Sequence, residues 1–229
     1  LTYHLTDNVA ELTPFVVWAL SGGRFPLALG VLQILCLDIG TDLLPALALG
    51  AEKADVHTLS LRPTARHLLD GALLRRVFGI LGPTEAVMEM TAFAAALFIS
   101  GWRPGDPTPR GHVLLAASGA AFMLVVIGQM ANAFACRSTT RGPGSIGWGG
   151  NRLLLAAVAI EFATLVVFIW VGPVSSLLHQ APRPLGALFV SAAAFPPVLI
   201  ADAAHNRLRS RPLATPALRG NATKRPPRP

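Results

Sequence analysis

Three acidic residues set inside apolar surroundings, Glu11, Asp38 and Asp42, are the side chains of this sequence most able to do chemistry. An ionisable group at the centre of a membrane helix costs about 2.5–3.5 kcal/mol on insertion scales, so it persists where it faces a cavity, a partner or an ion. Asp38, Thr41 and Asp42 stand at i, i+3 and i+4, a spacing that puts all three on one helix face. Pro45 has no N–H to give the carbonyl of Thr41, and Gly40 lets the backbone bend beside it. The run from Asp7 to Pro14 repeats the pattern: Asn8 and Glu11 are i, i+3 neighbours, and Pro14 frees the carbonyl of Ala10. Carboxylates, a hydroxyl and freed carbonyls are hard oxygen ligands, suited to alkali or alkaline-earth cations. No thiolate accompanies them, which disfavours soft metals. A polar network that merely locks helices together is the competing reading, but three acids and two prolines exceed what such glue requires.

Other polar residues could join this set. Gln129 and Asn132 could complete it from a fourth apolar stretch, and Glu85 and Glu89, at i, i+4 in the third, could line a bundle interior. Glu89 reads equally as a structural hydrogen-bond partner. Glu161 reads as structural, and Asp202 reads as the partner of nearby arginines. Cys36 and Cys136 stand alone, with no CxxC or Cys/His cluster, and behave as small hydrophobes.

The elements that would position these groups are membrane helices. The 229 residues are 52% apolar and only 14% charged, with mean hydropathy +0.53, well below the ~25% charge of soluble domains. The expected fold class is all-α: a polytopic membrane bundle of six transmembrane helices, the first and second broken by proline. Their approximate bounds are 1–20, 26–49, 68–100, 112–135, 152–172 and 185–206, forming one membrane domain over 1–206. Residues 207–229, rich in Arg and Pro, read as a disordered cytoplasmic tail able to touch anionic lipid. If the amino-terminal end is cytoplasmic, the outer loops hold only Arg24, Arg103, Arg110 and Arg183 of the 19 basic residues. That bias orients the chain and supports an even helix count. It also accounts for a pI of 10.9 without nucleic acid.

Ser21-Gly22-Gly23 makes a tight hairpin of the first two helices, so their polar residues lie side by side at similar depth. Broken helices with midplane polar groups are how transporters build ion sites, although no internal repeat is visible. No signal-peptide pattern and no GxxxxGK[ST] loop occur. The chain begins at Leu1, inside its first span, so an incomplete chain or a misplaced start codon is expected.

The stretches Tyr3–Phe15 and Ile34–Ala46 resemble the fifth and sixth transmembrane helices of P-type cation-transporting ATPases, in the sodium/potassium and calcium pump branch. The later spans are similar to helices seven to ten, including Phe195-Pro196, so the likeness covers nearly everything ahead of the tail. The resemblance implies that Asn8 and Glu11 are cation ligands of the fifth helix, and Asp38, Thr41 and Asp42 those of the sixth. It also marks departures. Asn132 stands where the eighth helix commonly carries an acid, and Asp7 where the fifth commonly carries serine. An aspartate at position 38 is shared with the sodium/potassium branch, which favours a monovalent cation (sodium, potassium or proton) over calcium. A plasma-membrane location is implied, with both the amino-terminal end and the tail cytoplasmic. The family phosphorylates an aspartate in a DKTGT motif and uses Mg-ATP, and this sequence has no such motif. Alone it is expected neither to hydrolyse ATP nor to pump. Its implied partners are the lipid bilayer, the transported cation and a missing amino-terminal half, encoded in the same gene or as a split subunit. The alternatives are a stand-alone membrane scaffold, a passive cation pathway or a nonfunctional remnant.

Overall fold

In a computed structural model, residues 1–52, 69–138, 147–181 and 185–209 are described. Every regular element among them is helical. In chain order these are α1 (Thr2–Leu20), α2 (Val31–Leu37), a π-wound turn (Asp38–Asp42), α3 (Leu43–Gly50), α4 (Gly71–Arg76) and a second π-wound turn (Val77–Leu81). There follow α5 (Gly82–Ile99), α6 (His112–Ala135), a 3₁₀ turn (Trp148–Gly150), α7 (Arg152–Trp170), α8 (Gly172–Leu177), α9 (Leu185–Ala192) and α10 (Phe195–Arg209). Among the described residues, four stretches are long and apolar enough to cross a membrane: Val31–Gly50, His112–Ala135, Arg152–Trp170 and Gly186–Arg207.

The middle of the bundle is α6. In its apolar window 72% of residues are buried, against 28% for α7. Ala116, Ala117, Ser118, Gly119, Ala121, Ala131 and Ala133 line α6 with small side chains, which let neighbouring backbones come close where lipid provides no hydrophobic drive. Phe122 and Met123 of α6 share a core with Leu37, Phe93, Leu97, Leu165 and Ile169. The outward faces are apolar as well: Val31, Leu35, Ile39, Leu43 and Leu47 on the second span, and Leu153, Ile160, Phe162 and Val166 on α7. Apolar residues both inside and outside are the signature of a bundle solvated by hydrocarbon.

Several expected boundaries shift. The first helix is not broken at Pro14 but runs unbroken from Thr2 to Leu20. The second span is rewound rather than broken. An i→i+5 turn over Asp38–Asp42 precedes Pro45, and the π turn over Val77–Leu81 stands in the same way ahead of Pro83. Widening the turn before a proline accommodates the missing donor without ending the helix. The second span also starts later, at Val31 rather than 26, because Pro26 and Gly30 bound a short loop whose Ala28 and Leu29 are nonetheless fully buried. The break falls instead in the last span, between Ala192 and Phe195, where Pro196 and Pro197 occupy the opening turn of α10, as first-turn prolines do.

The hairpin after α1 matches its sequence. Gly22 and Gly23 adopt φ of 63° and 77°, and the Gly23 N–H donates to Trp18 O at 2.9 Å. At the opposite end, buried polar ties join the helix termini. Arg137 donates to both carboxylate oxygens of Glu52, at 3.1 and 2.9 Å, and Asn151 Nδ2 donates to Glu52 Oε2 at 2.8 Å. Arg76 donates through Nε to Asp202 Oδ1 at 2.9 Å and caps α6 by donating to Ala135 O at 2.8 Å. Asp202 thus pairs with an arginine, but with one 126 residues away on another span rather than with an arginine nearby in sequence. The tail from residue 210 onward lies outside the described residues.

Candidate cation site

Two helical turns bring the acids together. On α1, Asp7, Ala10, Glu11 and Pro14 form a buried stripe with Tyr3 and Thr6. On the second span the π turn carries Thr41 and Asp42 into the interior, while Asp38 stays at the exposed rim. One carboxylate oxygen each from Glu11, Asp38 and Asp42 lies within 4.8 Å of the others. An oxygen-preferring cation takes ligands at about 2.3–2.6 Å, so one ion can touch all three.

The neutral neighbours orient this set. Gln129 Nε2, on α6, donates to Glu11 Oε1 at 3.0 Å, and its Oε1 accepts from Thr41 Oγ1 at 3.2 Å. Gln129 therefore ties α1 to the π turn. The Thr41 hydroxyl also lies 2.8 Å from the Leu37 carbonyl, a bond it can make in place of the one to Gln129. Tyr3 Oη donates to Asp42 Oδ1 at 3.2 Å, and His4 Nδ1 stands 3.9 Å from the other oxygen, Oδ2. Asn132 Nδ2 donates to Asp7 Oδ1 at 2.8 Å. Gly40 brings the turn against α7: a Cβ there would meet the Phe168 ring at 3.1 Å.

The structure sorts the residues singled out from the sequence. Glu11, Asp38, Thr41, Asp42 and Gln129 converge, with Asp7 and Asn132 in an adjoining pair. Asn8 is exposed, one position away from the inward face that Asp7 occupies. Glu85, Glu89 and Glu161 are buried, and among the described residues neither carboxylate oxygen of any of them meets an amide, hydroxyl or basic donor. The role of hydrogen-bond partner suggested for Glu89 has no counterpart among those residues. Tyr3 was not singled out. Its signal was present: it is the chain's one tyrosine and stands at i−4 to Asp7, on the same face.

Comparison with known proteins shows the family of the chain. The chain is 34% identical over 109 residues to the human sodium/potassium-transporting ATPase subunit alpha-4, a match covering 46% of this chain and 10% of that protein. It is 31% identical over 109 residues to the rat subunit alpha-3, with 46% and 11% covered. It is 32% identical over 109 residues to the alpha subunit of Tetronarce californica, with 46% and 10% covered. The chain thus matches only about a tenth of the length of these relatives. The family described as "Cation transporting ATPase, C-terminus" matches residues 26–208, which takes in both π turns, Gln129 and the helices from α2 through all but the last residue of α10. This membrane protein belongs to that family, the carboxy-terminal region of cation-transporting P-type ATPases.

Proposed function

We propose that the chain is the cation-binding and translocating membrane part of an ATP-driven P-type pump, with Glu11, Asp38 and Asp42 supplying the negative charge. The observation that carries this reading is the convergence of their three carboxylate oxygens within 4.8 Å. Three acids gathered at membrane depth, with no Lys or Arg paired to any of them among the described residues, call for a bound cation as counter-charge. Thr41 and Gln129 add neutral oxygens, and Asp7 and Asn132 form the neighbouring wall. Asn8 and Asp38 lie on the exposed rim, where a helix from the rest of a pump would close the site.

The finer reading follows from the same residues. Six spans are assigned. Four are long and apolar enough to cross a membrane even with the acids that three of them carry, while the two others, α1 and the stretch from Gly71 to Ile99, have their hydropathy lowered further by the acids and other polar residues in them. Both ends of the chain are placed on the cytoplasmic side of the plasma membrane. A monovalent cation is favoured over calcium, because the curated relatives are sodium/potassium-transporting subunits. Pumping requires phosphorylation, nucleotide-binding and actuator domains acting on Mg-ATP. Domain motion would tilt α1 and the second span and open the acids to alternate sides of the membrane.

The test joins this chain to the amino-terminal portion of a sodium/potassium pump alpha subunit and measures cation-stimulated ATP hydrolysis in vesicles. Stimulation by sodium or potassium is expected, with a loss of at least tenfold in apparent cation affinity for Asp42→Asn. Full activity in that variant would remove the assignment.

A further inference from the structure

The second span is tied to α6 and its end at two places. At the amino-terminal end of the span, Gln33 Nε2 donates to Ser118 Oγ at 3.0 Å, and Gln33 Oε1 accepts from the Gly30 N–H at 2.7 Å. Gln33 and Ser118 are both buried. At the carboxy-terminal end, Glu52 accepts the two Arg137 bonds, and Asn151 Nδ2 donates to Ala48 O at 2.9 Å as well as to Glu52. Each tie joins residues 85 positions apart, so Gln33–Glu52 and Ser118–Arg137 are segments of equal length, 19 positions from one tie to the other. At 1.5 Å per residue each covers about 28 Å, close to the ~30 Å hydrocarbon core, which puts one tie at each membrane edge.

Between the ties lies the π turn, where Thr41 meets Gln129 of α6. An i→i+5 turn holds one residue more than an α-helical turn. Rewinding it as α-helix would lengthen the span by about 1.5 Å and rotate one half against the other by about 100°. Ends held in register oppose both changes. They still permit the wide turn to migrate along the span, because migration alters neither the length nor the rotation of the whole. Pro45 explains why a wide turn is tolerated here. A proline leaves the ends of a helix free to rotate, however, so it does not decide which side chains face inward.

We propose that Gln33 and Arg137, with their partners Ser118 and Glu52, are positioning residues for the cation site. By fixing both ends of the second span against α6 they preserve the π turn and hold Thr41 and Asp42 inward. The hydrogen bonds of these four residues do not reach Glu11, Asp38 or Asp42, so they act through the backbone between the ties. The inference rests on the cation-pump reading and specifies how the second span moves: its tilt is taken up by migration of the wide turn between fixed ends.

The experiment takes two readouts on the 229-residue chain in lipid nanodiscs. One is titration with ²²Na⁺, and separately with ⁴⁵Ca²⁺. The other is the distance between spin labels on Leu35 and Leu47, exposed positions on either side of the π turn. The wild type is expected to bind at least one of these ions. Gln33→Leu cuts the tie at one end and Arg137→Ala the tie at the other, so the proposal does not depend on a single variant folding. Each should weaken apparent cation affinity about tenfold. Each should also change the Leu35–Leu47 distance by about 1.5 Å or more as the turn rewinds. Arg137→Lys, which keeps the charge and a donor for Glu52, should retain the wild-type distance and most of the affinity. Unchanged affinity in both Gln33→Leu and Arg137→Ala would overturn the positioning role and leave Pro45 as the sole support of the turn. Weakened affinity at an unchanged label distance would also overturn it, because the loss would then not pass through the turn. No binding of either ion by the wild type would instead overturn the cation-pump reading on which the role depends.

Discussion

Gly82→Ala tests whether the closeness of α1 and α5 governs the cation-binding region. The added methyl would sit 2.6 Å from Val9 Cβ, 2.8 Å from Val9 Cγ1 and 3.0 Å from Val77 O. Ordinary carbon contacts are about 3.5–4.0 Å, so the helices must part by about 1 Å or the backbone must deform. Overpacking of this kind costs about 1–3 kcal/mol. Intrinsic propensity pulls the other way, since alanine is favoured over glycine in a helix by about 1 kcal/mol, so the net loss is about 0–2 kcal/mol. Separation of α1 from α5 also moves Glu11 relative to Asp42, and cation affinity should fall more than stability does. The assay pairs thermal unfolding in nanodiscs with the cation-binding titration. Val9→Ala removes the 2.8 Å contact but leaves the 2.6 Å one, so it should rescue only partly, whereas Val9→Gly should relieve both. In the double-mutant cycle Gly82→Ala and Val9→Gly should therefore couple favourably, after allowance for the helix cost of the new glycine. Additive effects with unchanged cation binding would refute the seam as the determinant of site geometry.

Three further outcomes follow. Arg76→Ala leaves Asp202 buried without its cation and uncaps α6, and should cost about 3–5 kcal/mol in unfolding measurements. Arg137 holds the Glu52 carboxyl below its ordinary value of 4.5, so this tie stabilises the fold above that pH and is lost as pH falls through the lower, folded value. Unfolding midpoints of Arg137→Ala should accordingly fall less steeply below about pH 4.5 than those of the wild type. Gln129→Leu strips one donor from Glu11 and one acceptor from Thr41, for about 1–3 kcal/mol of stability, together with weaker cation binding in the nanodisc titration.

The chemistry of the site was more legible than its geometry. Carboxylates, prolines and their spacing announce a hard-cation region because each is costly in an apolar helix and needs a reason to be there. Spacing alone, however, assumes 3.6 residues per turn. Asp38, Thr41 and Asp42 share one face in that frame, but the i→i+5 turn divides them, sending Thr41 and Asp42 inward and leaving Asp38 at the rim. Asn8 and Asp7 pose a different problem. Both are polar neighbours on α1, and only the positions of Asn132 on α6 and Glu85 on α5 decide which one faces the interior. Those partners are more than 70 residues away in sequence, beyond the reach of local periodicity. The last span shows the reverse error. The apolar run over 185–206 suggests one helix, whereas Pro196 and Pro197 form the opening turn of a second.

The prolines also bear on how the region could move. Pro14 lies in a helix that runs on unbroken, whereas Pro45 and Pro83 each follow a π turn. A π turn leaves backbone carbonyls loosely bonded and can shift register along a helix at low cost. In this chain the two π turns flank the acid cluster from different helices: one carries Thr41 and Asp42, and the other precedes Gly82 and Glu85. If the site opens by rewinding those turns, Asp42 and Glu85 should move together while Glu11, on the unbroken α1, stays fixed. Spin labels on Leu44 and on Val87, each paired with one on Leu12 of the fixed α1 and all three exposed, would then report a cation-dependent distance change. A pair on Leu12 and Trp18, both on α1, would report none.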